Sequence, residues 1–393
     1  MDTNRRLANA GLPGEAAPAQ AGATPPLRLL FWELTARCNL RCRHCRAEAG
    51  QDTFPGELDT GEILRVADQI AATHDPILVL TGGEPLTHPD FFRIARFCAD
   101  RFTRVAMGTN GVSIDPSIAR AVMASGIRRA SVSIDGATAS THDAFRGLPG
   151  CFEDALRGIA HLRAARVPVQ INATMTRHND RELDALLRLA LDFGADAFHL
   201  FMLVPVGCGA TLGEDDRLTP ERFEEVLRQL HARSLEMAGR LHIKATCAPQ
   251  YMRIARQAHQ SVAASPVSET SAHAVSGNSG HGGMNAMTRG CLAGSSICFI
   301  SRTGDVQPCG YLPLAVGNVK HEALTDIWRN AEVFEALRNP ARLTGKCGVC
   351  GYRRLCQGCR ARAYAETGDY LGEEPECPYD PRSDEGDRLR VVR

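Results

Sequence analysis

The sequence has no surplus of either charge: 45 Lys and Arg stand against 45 Asp and Glu in 393 residues, a formal net charge of +0. Binders of nucleic acid or of an anionic membrane concentrate Lys and Arg, so neither partner has an electrostatic footprint here. No stretch offers the roughly 18 uninterrupted apolar residues of a membrane-crossing helix. The N-terminus, with Arg5 and Arg6 followed by Gly, Pro and Glu, lacks the apolar centre of a signal peptide. What is missing therefore points to a cytoplasmic protein with no membrane span and no nucleic-acid partner. Apolar residues are not short, at 44%, which excludes disorder throughout, and a chain of this length should hold one large unit and a smaller one.

What is abundant is cysteine, 15 in all, unevenly placed: three in Cys38–Cys45, eight from Cys291 to Cys377, and Cys98, Cys151, Cys208 and Cys247 scattered between. In a reducing compartment an odd count at short spacings means ligands or catalysis, not a disulfide framework. The scattered four read as small core residues.

Residues 1–26 are rich in Ala, Gly and Pro without apolar periodicity and read as a flexible tail. From there short apolar runs alternate with amphipathic stretches. Runs at 29–34, 77–80, 104–107, 130–134, 167–175 and 197–204 are followed by helical patterns from Thr60, Pro89, Pro116, near Phe152, near Asp180 and from Pro220. Six such repeats predict an α/β fold, a parallel sheet curled into a partial (βα)6 barrel over 27–240, with ligands at the C-terminal ends of the strands. The repeat stops after about Leu241. A connector over 241–290 carries a Ser-, Ala-, Gly- and His-rich segment, 260–287, that reads as a mobile loop, and 291–393 form a small cysteine-rich domain whose bound metal supplies part of its folding free energy.

The sharpest pattern is Cys38-Asn-Leu-Arg-Cys42-Arg-His-Cys45, directly after the first strand. Three thiolates on one tight loop can hold three irons of a [4Fe-4S] cluster and leave the fourth open. A zinc site is the alternative, but structural zinc closes four ligands and uses other spacings. With the motifs that follow, this loop resembles the radical S-adenosylmethionine superfamily over about 29–235. The resemblance implies that the open iron chelates S-adenosylmethionine, and that reductive cleavage yields a 5′-deoxyadenosyl radical able to take hydrogen from unactivated carbon. His44 stands where that family often has another aromatic ring. Thr81-Gly82-Gly83-Glu84-Pro85 resembles the family's GGEP motif, in which backbone and Glu84 hold the methionyl ammonium. By the same resemblance Asn110, Ser133 and Asp135 fall among contacts to ribose or the methionyl group, Arg146 pairs with the methionyl carboxylate, Asn172 and Met175 end the fifth strand, and Leu203 lies near the adenine.

The C-terminal cysteines resemble the SPASM extension, which binds one or two auxiliary [4Fe-4S] clusters. That pattern assigns Cys347, Cys350, Cys356 and Cys377 to one cluster and Cys291, Cys298, Cys309 and Cys359 to a second, for which zinc or plain buried thiols are alternatives; only two residues separate Cys356 from Cys359, where three are usual. The stretches His242–Tyr251, Arg289–Ser301 and Gln307–Leu312 are similar to the tetrapyrrole-modifying branch, and within it to heme b synthases of the siroheme-dependent heme pathway. This implies oxidative decarboxylation of two propionates of iron-coproporphyrin III to vinyl groups, a tetrapyrrole substrate, a small electron donor such as a flavodoxin or ferredoxin, and oxygen-sensitive, anaerobic chemistry. A didecarboxysiroheme deacetylase, a heme d1 biosynthesis enzyme, a SPASM peptide maturase and a non-catalytic electron carrier are the competing readings. Lys244, Tyr251, Arg253 and Arg289 are candidates for propionates and His199, His273 and His281 for iron, each with surface charge or ordinary packing as the plainer alternative. Trp32 and Trp328 read as packing.

Overall fold

The computed structural model describes residues 24–52, 54–263 and 290–382. The expected tail is thus almost wholly outside the described residues, and so are 264–289, which hold most of the segment expected as a loop together with His273, His281 and Arg289. Strands form where the apolar runs lie: β1 (Leu29–Glu33), β2 (Ile77–Thr81), β3 (Val105–Thr109), β4 (Arg129–Ser133), β5 (Val169–Met175) and β6 (Ala197–Met202). Each pairs in parallel with the next. Strand side chains alternate between faces. Leu30, Trp32, Leu78 and Leu80 share a core with Ile63, Val66, Phe91 and Ile94 of the helices Thr60–Ala71 and Phe91–Ala99, while Leu29, Phe31, Ile77 and Val79 line a central cavity.

Helix starts follow local chemistry. Asp59 closes a capping box with Glu62, and Asp115 and Thr219 cap helices whose first residue is Pro116 or Pro220. The single helix expected near Phe152 is two, Ala139–Arg146 and Cys151–Ala164, divided where Gly147 and Gly150 take φ of +75° and +84°.

The repeat does not stop at Leu241. β7 (His242–Thr246) pairs with β6 and leads into the helix Gln250–Ala263, and β8 (Ile297–Ile300) pairs in parallel with the far side of β1. β9 (Asp305–Gln307) and β10 (Gly317–Asn318) continue that flank antiparallel. The order β10-β9-β8-β1-β2-β3-β4-β5-β6-β7 is one open sheet, a partial barrel that does not close, and residues beyond both expected boundaries contribute to it. At its C-terminal edge, Arg362 of the helix Arg360–Thr367 donates to both carboxylate oxygens of Glu374 at 3.1 and 3.2 Å and to the carbonyls of Met202, Leu203 and Cys247. Both members of the pair are buried, so this contact locks the cysteine-rich segment onto the ends of β6 and β7.

Candidate active site

The three-cysteine loop leaves β1 at the C-terminal edge of the sheet and is held by backbone. Cys38 N–H donates to the Gly50 carbonyl at 2.6 Å, and the β2 turn reaches back through Gly83 N–H to Thr35 and Glu84 N–H to Arg37. That contact needs glycine: a Cβ on Gly83 would stand 2.4 Å from the Arg37 carbonyl oxygen. Leu40 and Ala49 N–H groups point at the sulfurs of Cys38 and Cys45 at 3.4 Å, and Arg146 and Asn110 at those of Cys42 and Cys38 at 3.7 and 3.9 Å. Donors aimed at sulfur favour the thiolate. Burial nonetheless pushes the Cys38 thiol up to about 11 and raises that of Cys42, so the charge of bound iron has to hold these sulfurs ionised.

Beside the loop, the His44 ring stacks on Phe145 at 4.2 Å and points Nε2 at Asp135, 3.2 Å away, while Arg146 meets the same carboxylate at 2.6 Å. Burial opposes ionisation of Asp135, but Arg146 and His44 outweigh it and hold the carboxyl well below the usual range. Glu84 is buried and accepts from Leu86 N–H, Thr109 Oγ1 and Asn110 N–H. Its burial pushes the carboxyl up to about 7.

The barrel encloses a cavity of about 470 Å³ lined by Cys38, Cys42 and Cys45, within the range of ligand sites. Its wall has two characters. On β8, β1 and β2 the inward residues are Ile297, Phe299, Leu29, Phe31, Ile77 and Val79, with Thr81 at the end of β2; on β4 to β7 they include Arg129, Gln170, Asn172, His199, Lys244 and Thr246. One side is apolar and the other polar and basic, and among the described residues the lining holds a single carboxylate, Asp135, already engaged.

The C-terminal cysteines fall into two groups. Cys347, Cys350, Cys356 and Cys377 line one small cavity, with backbone N–H groups of Glu374, Tyr352 and Gly358 aimed at the sulfurs of Cys347, Cys350 and Cys356 at 3.4 Å. Cys291, Cys309 and Cys359 line the main cavity together with Cys247, whose thiol is raised by burial and then by Cys359, Cys309 and Cys291 around it. Cys298 is not with them: on β8 it alternates with the inward Ile297 and Phe299 and is fully buried in the core behind the sheet. The second set expected from the sequence is thus divided: Cys291, Cys309 and Cys359 stand together with Cys247 beside them, and Cys298 faces the core. A tetrahedral zinc site needs sulfurs roughly 3.8 Å apart. Among the described residues none of these cysteine groups brings three ligand atoms within 4.8 Å of one another; only His142, Asp143 and Cys151 do. Among the described residues no cysteine group is thus drawn as tight as a single tetrahedral ion requires. His142, Asp143 and Cys151 brace a helix junction, Asp143 accepting from Gly150 and Phe152 N–H and from the Cys151 thiol.

Residues 32–190 match the model of the radical SAM superfamily, and 291–360 that of the SPASM iron-sulfur cluster-binding domain. Over 354 residues, 90% of this chain and 97% of the relative, the sequence is 47% identical to an AdoMet-dependent heme synthase of Methanosarcina barkeri. The chain belongs to the radical SAM superfamily and carries a SPASM domain. A pre-heme d1 synthase of Dinoroseobacter shibae is 34% identical over 373 residues, 92% of this chain and 88% of that one. SuiB of Streptococcus suis bound to S-adenosylmethionine has the same fold, with a TM-score of 0.69 at 16% identity over 91% of this chain and 78% of that one.

This radical SAM enzyme binds S-adenosylmethionine and a [4Fe-4S] cluster, and its SPASM region binds auxiliary iron-sulfur clusters. Of the residues expected to hold the cofactor, Gly82, Gly83, Asn110, Ser133, Asp135, Arg146, Asn172 and Leu203 all line the cavity beside the three-cysteine loop. Glu84 and Pro85 are buried beside it, and the Glu84 carboxylate accepts from Thr109 Oγ1 and Asn110 N–H. Met175 packs in the core. Lys244, Tyr251 and His199 reach the cavity, whereas Arg253 is turned away, paired with Glu224 and lining the Cys347 group. Tyr251 Oη is 3.1 Å from Ser234 and 3.3 Å from His231. Trp32 and Trp328 are buried, as expected of packing residues. Among the described residues no helix is long and apolar enough to cross a membrane.

Proposed function

We propose that the enzyme converts iron-coproporphyrin III to heme b by oxidative decarboxylation of two propionates to vinyl groups. The observation that carries this reading is the two-sided cavity. An apolar wall on β8, β1 and β2 suits the face of a macrocycle, and a basic wall on β4 to β7 suits its acidic arms. Likeness to a heme synthase along nearly the whole chain supports it.

Cys38, Cys42 and Cys45 would hold the cluster, and the backbone of Gly82 and Gly83, with Asn110, Ser133 and Asn172, the cofactor; when bound, that pair supplies the radical that takes a hydrogen atom from the propionate β-carbon. The contacts of Asp135 with Arg146 and His44 would hold the wall beside the loop rigid. Loss of carbon dioxide from each arm then leaves one electron to be removed as the alkene forms. Cys247, Cys291, Cys309 and Cys359 stand on the same cavity and would place an auxiliary cluster where that electron leaves. A small flavodoxin or ferredoxin is the proposed donor.

The test is an anaerobic incubation of reconstituted enzyme with S-adenosylmethionine, a strong reductant and iron-coproporphyrin III. Stepwise loss of two formic-acid equivalents with 5′-deoxyadenosine is expected by mass analysis. Deoxyadenosine with an unchanged porphyrin would overturn the substrate, and no cofactor cleavage would overturn the catalytic reading.

A further inference from the structure

The chain has three lysines. Lys320 donates to the Gly56 carbonyl at 3.0 Å with Glu62 3.8 Å away, and Lys346 donates to the Cys377 carbonyl at 2.7 Å. Lys244 lines the cavity and, among the described residues, has no carboxylate within ion-pair distance. Burial lowers its pKa. His199 is its register partner on β6, and the His199 and His242 rings lie 6.3 Å apart, each with a buried Nε2 that meets no partner. Arg129 lines the same wall, close enough that, after burial and the charges of Lys244 and His242, its own charge also lowers the pKa of His199.

A buried ammonium without a counter-charge is costly, and so is a buried ring nitrogen without a partner. Two such groups on the cavity wall, Lys244 and His199, with His242 beside them and the one lining carboxylate among the described residues engaged elsewhere, describe a site built for an anion. We propose that Lys244, flanked by His199 and His242, is a carboxylate-anchoring subsite that takes one propionate arm of the substrate on its Nζ. The proposal rests on the tetrapyrrole reading above. Asn172, His199 and Lys244 lie in one register row across β5, β6 and β7, which sets Lys244 about 10 Å from Asn172. Lys244 is three residues before Cys247. An arm held there fixes the ring between the radical-generating loop and the auxiliary cysteines.

The test compares binding of iron-coproporphyrin III and of its tetramethyl ester, by Soret titration of the cluster-loaded enzyme, between wild type and Lys244→Met. Losing one charge-assisted contact should weaken the tetra-acid roughly 10- to 100-fold and leave the ester unchanged, with Lys244→Arg restoring most of the affinity. Iron and sulfide content reports whether each variant is folded. In parallel, trace acetylation followed by peptide mass analysis should show Lys244 labelled more slowly with the tetra-acid present and unaffected by the ester. Tetra-acid binding that is unchanged in Lys244→Met, or an ester weakened equally, overturns the subsite and leaves the function standing. If wild type binds neither porphyrin, the tetrapyrrole reading fails, and protection of Lys244 from acetylation by glutarate decides the subsite alone: protection supports it and its absence overturns it.

Discussion

Cys247 and Cys298 are both buried thiols, and what separates them is direction. Cys247, at φ +55° just beyond β7, faces Cys291, Cys309 and Cys359; Cys298 faces the core behind β8. Cys247→Ser is therefore expected to lower iron and sulfide by about one cluster's share, and Cys298→Ala to leave both unchanged while costing about 1 kcal/mol of packing, read by iron analysis and thermal melting. The short cysteine spacings were legible in the sequence because their ligands are local. Cys247 was not, because a lone cysteine far from its partners carries no spacing. His142 gives a second residue-scale expectation. Asp135 N–H donates to its Nδ1 at 3.1 Å, and burial, aided by Arg146, lowers its pKa to about 4. A depressed folded pKa adds stability above the unfolded value of about 6.5 that is lost as pH falls toward 4, at most about 3 kcal/mol. His142→Asn keeps an acceptor and should flatten melting temperature across that window; an unchanged slope would assign the acid sensitivity elsewhere.

At the scale of elements, the turn after β2 and the cluster loop after β1 behave as one piece. Gly83→Ala would drive a methyl group into the Arg37 and Ala36 carbonyls, and backbone cannot give way cheaply. The expected result is loss of the three-cysteine cluster with the SPASM clusters retained, separable by electron paramagnetic resonance of the reduced protein; a full cluster complement would show that the two loops move independently. Periodicity found β1 to β6 since each has an apolar outer face packed on helices. It missed β7, written His-Ile-Lys-Ala-Thr, since Lys244 and Thr246 face the cavity and the strand offers no apolar run.

For the molecule as a whole, the buried Arg362–Glu374 pair decides whether the cysteine-rich segment and the barrel melt together. Arg362→Met strands a carboxylate in a dry site and frees three carbonyls, a loss of about 3–5 kcal/mol. Calorimetry should show the single transition shifted down or split, and Arg362→Met combined with Glu374→Gln should recover part of the loss. The same seam orders events during synthesis. The radical-generating loop gathers its ligands within eight residues and can be furnished with iron once the first strands stand. The Cys247 group waits for Cys359, so until the ribosome has delivered that residue the growing chain holds three of its four cysteines and a nascent barrel with one side of its chamber unfinished.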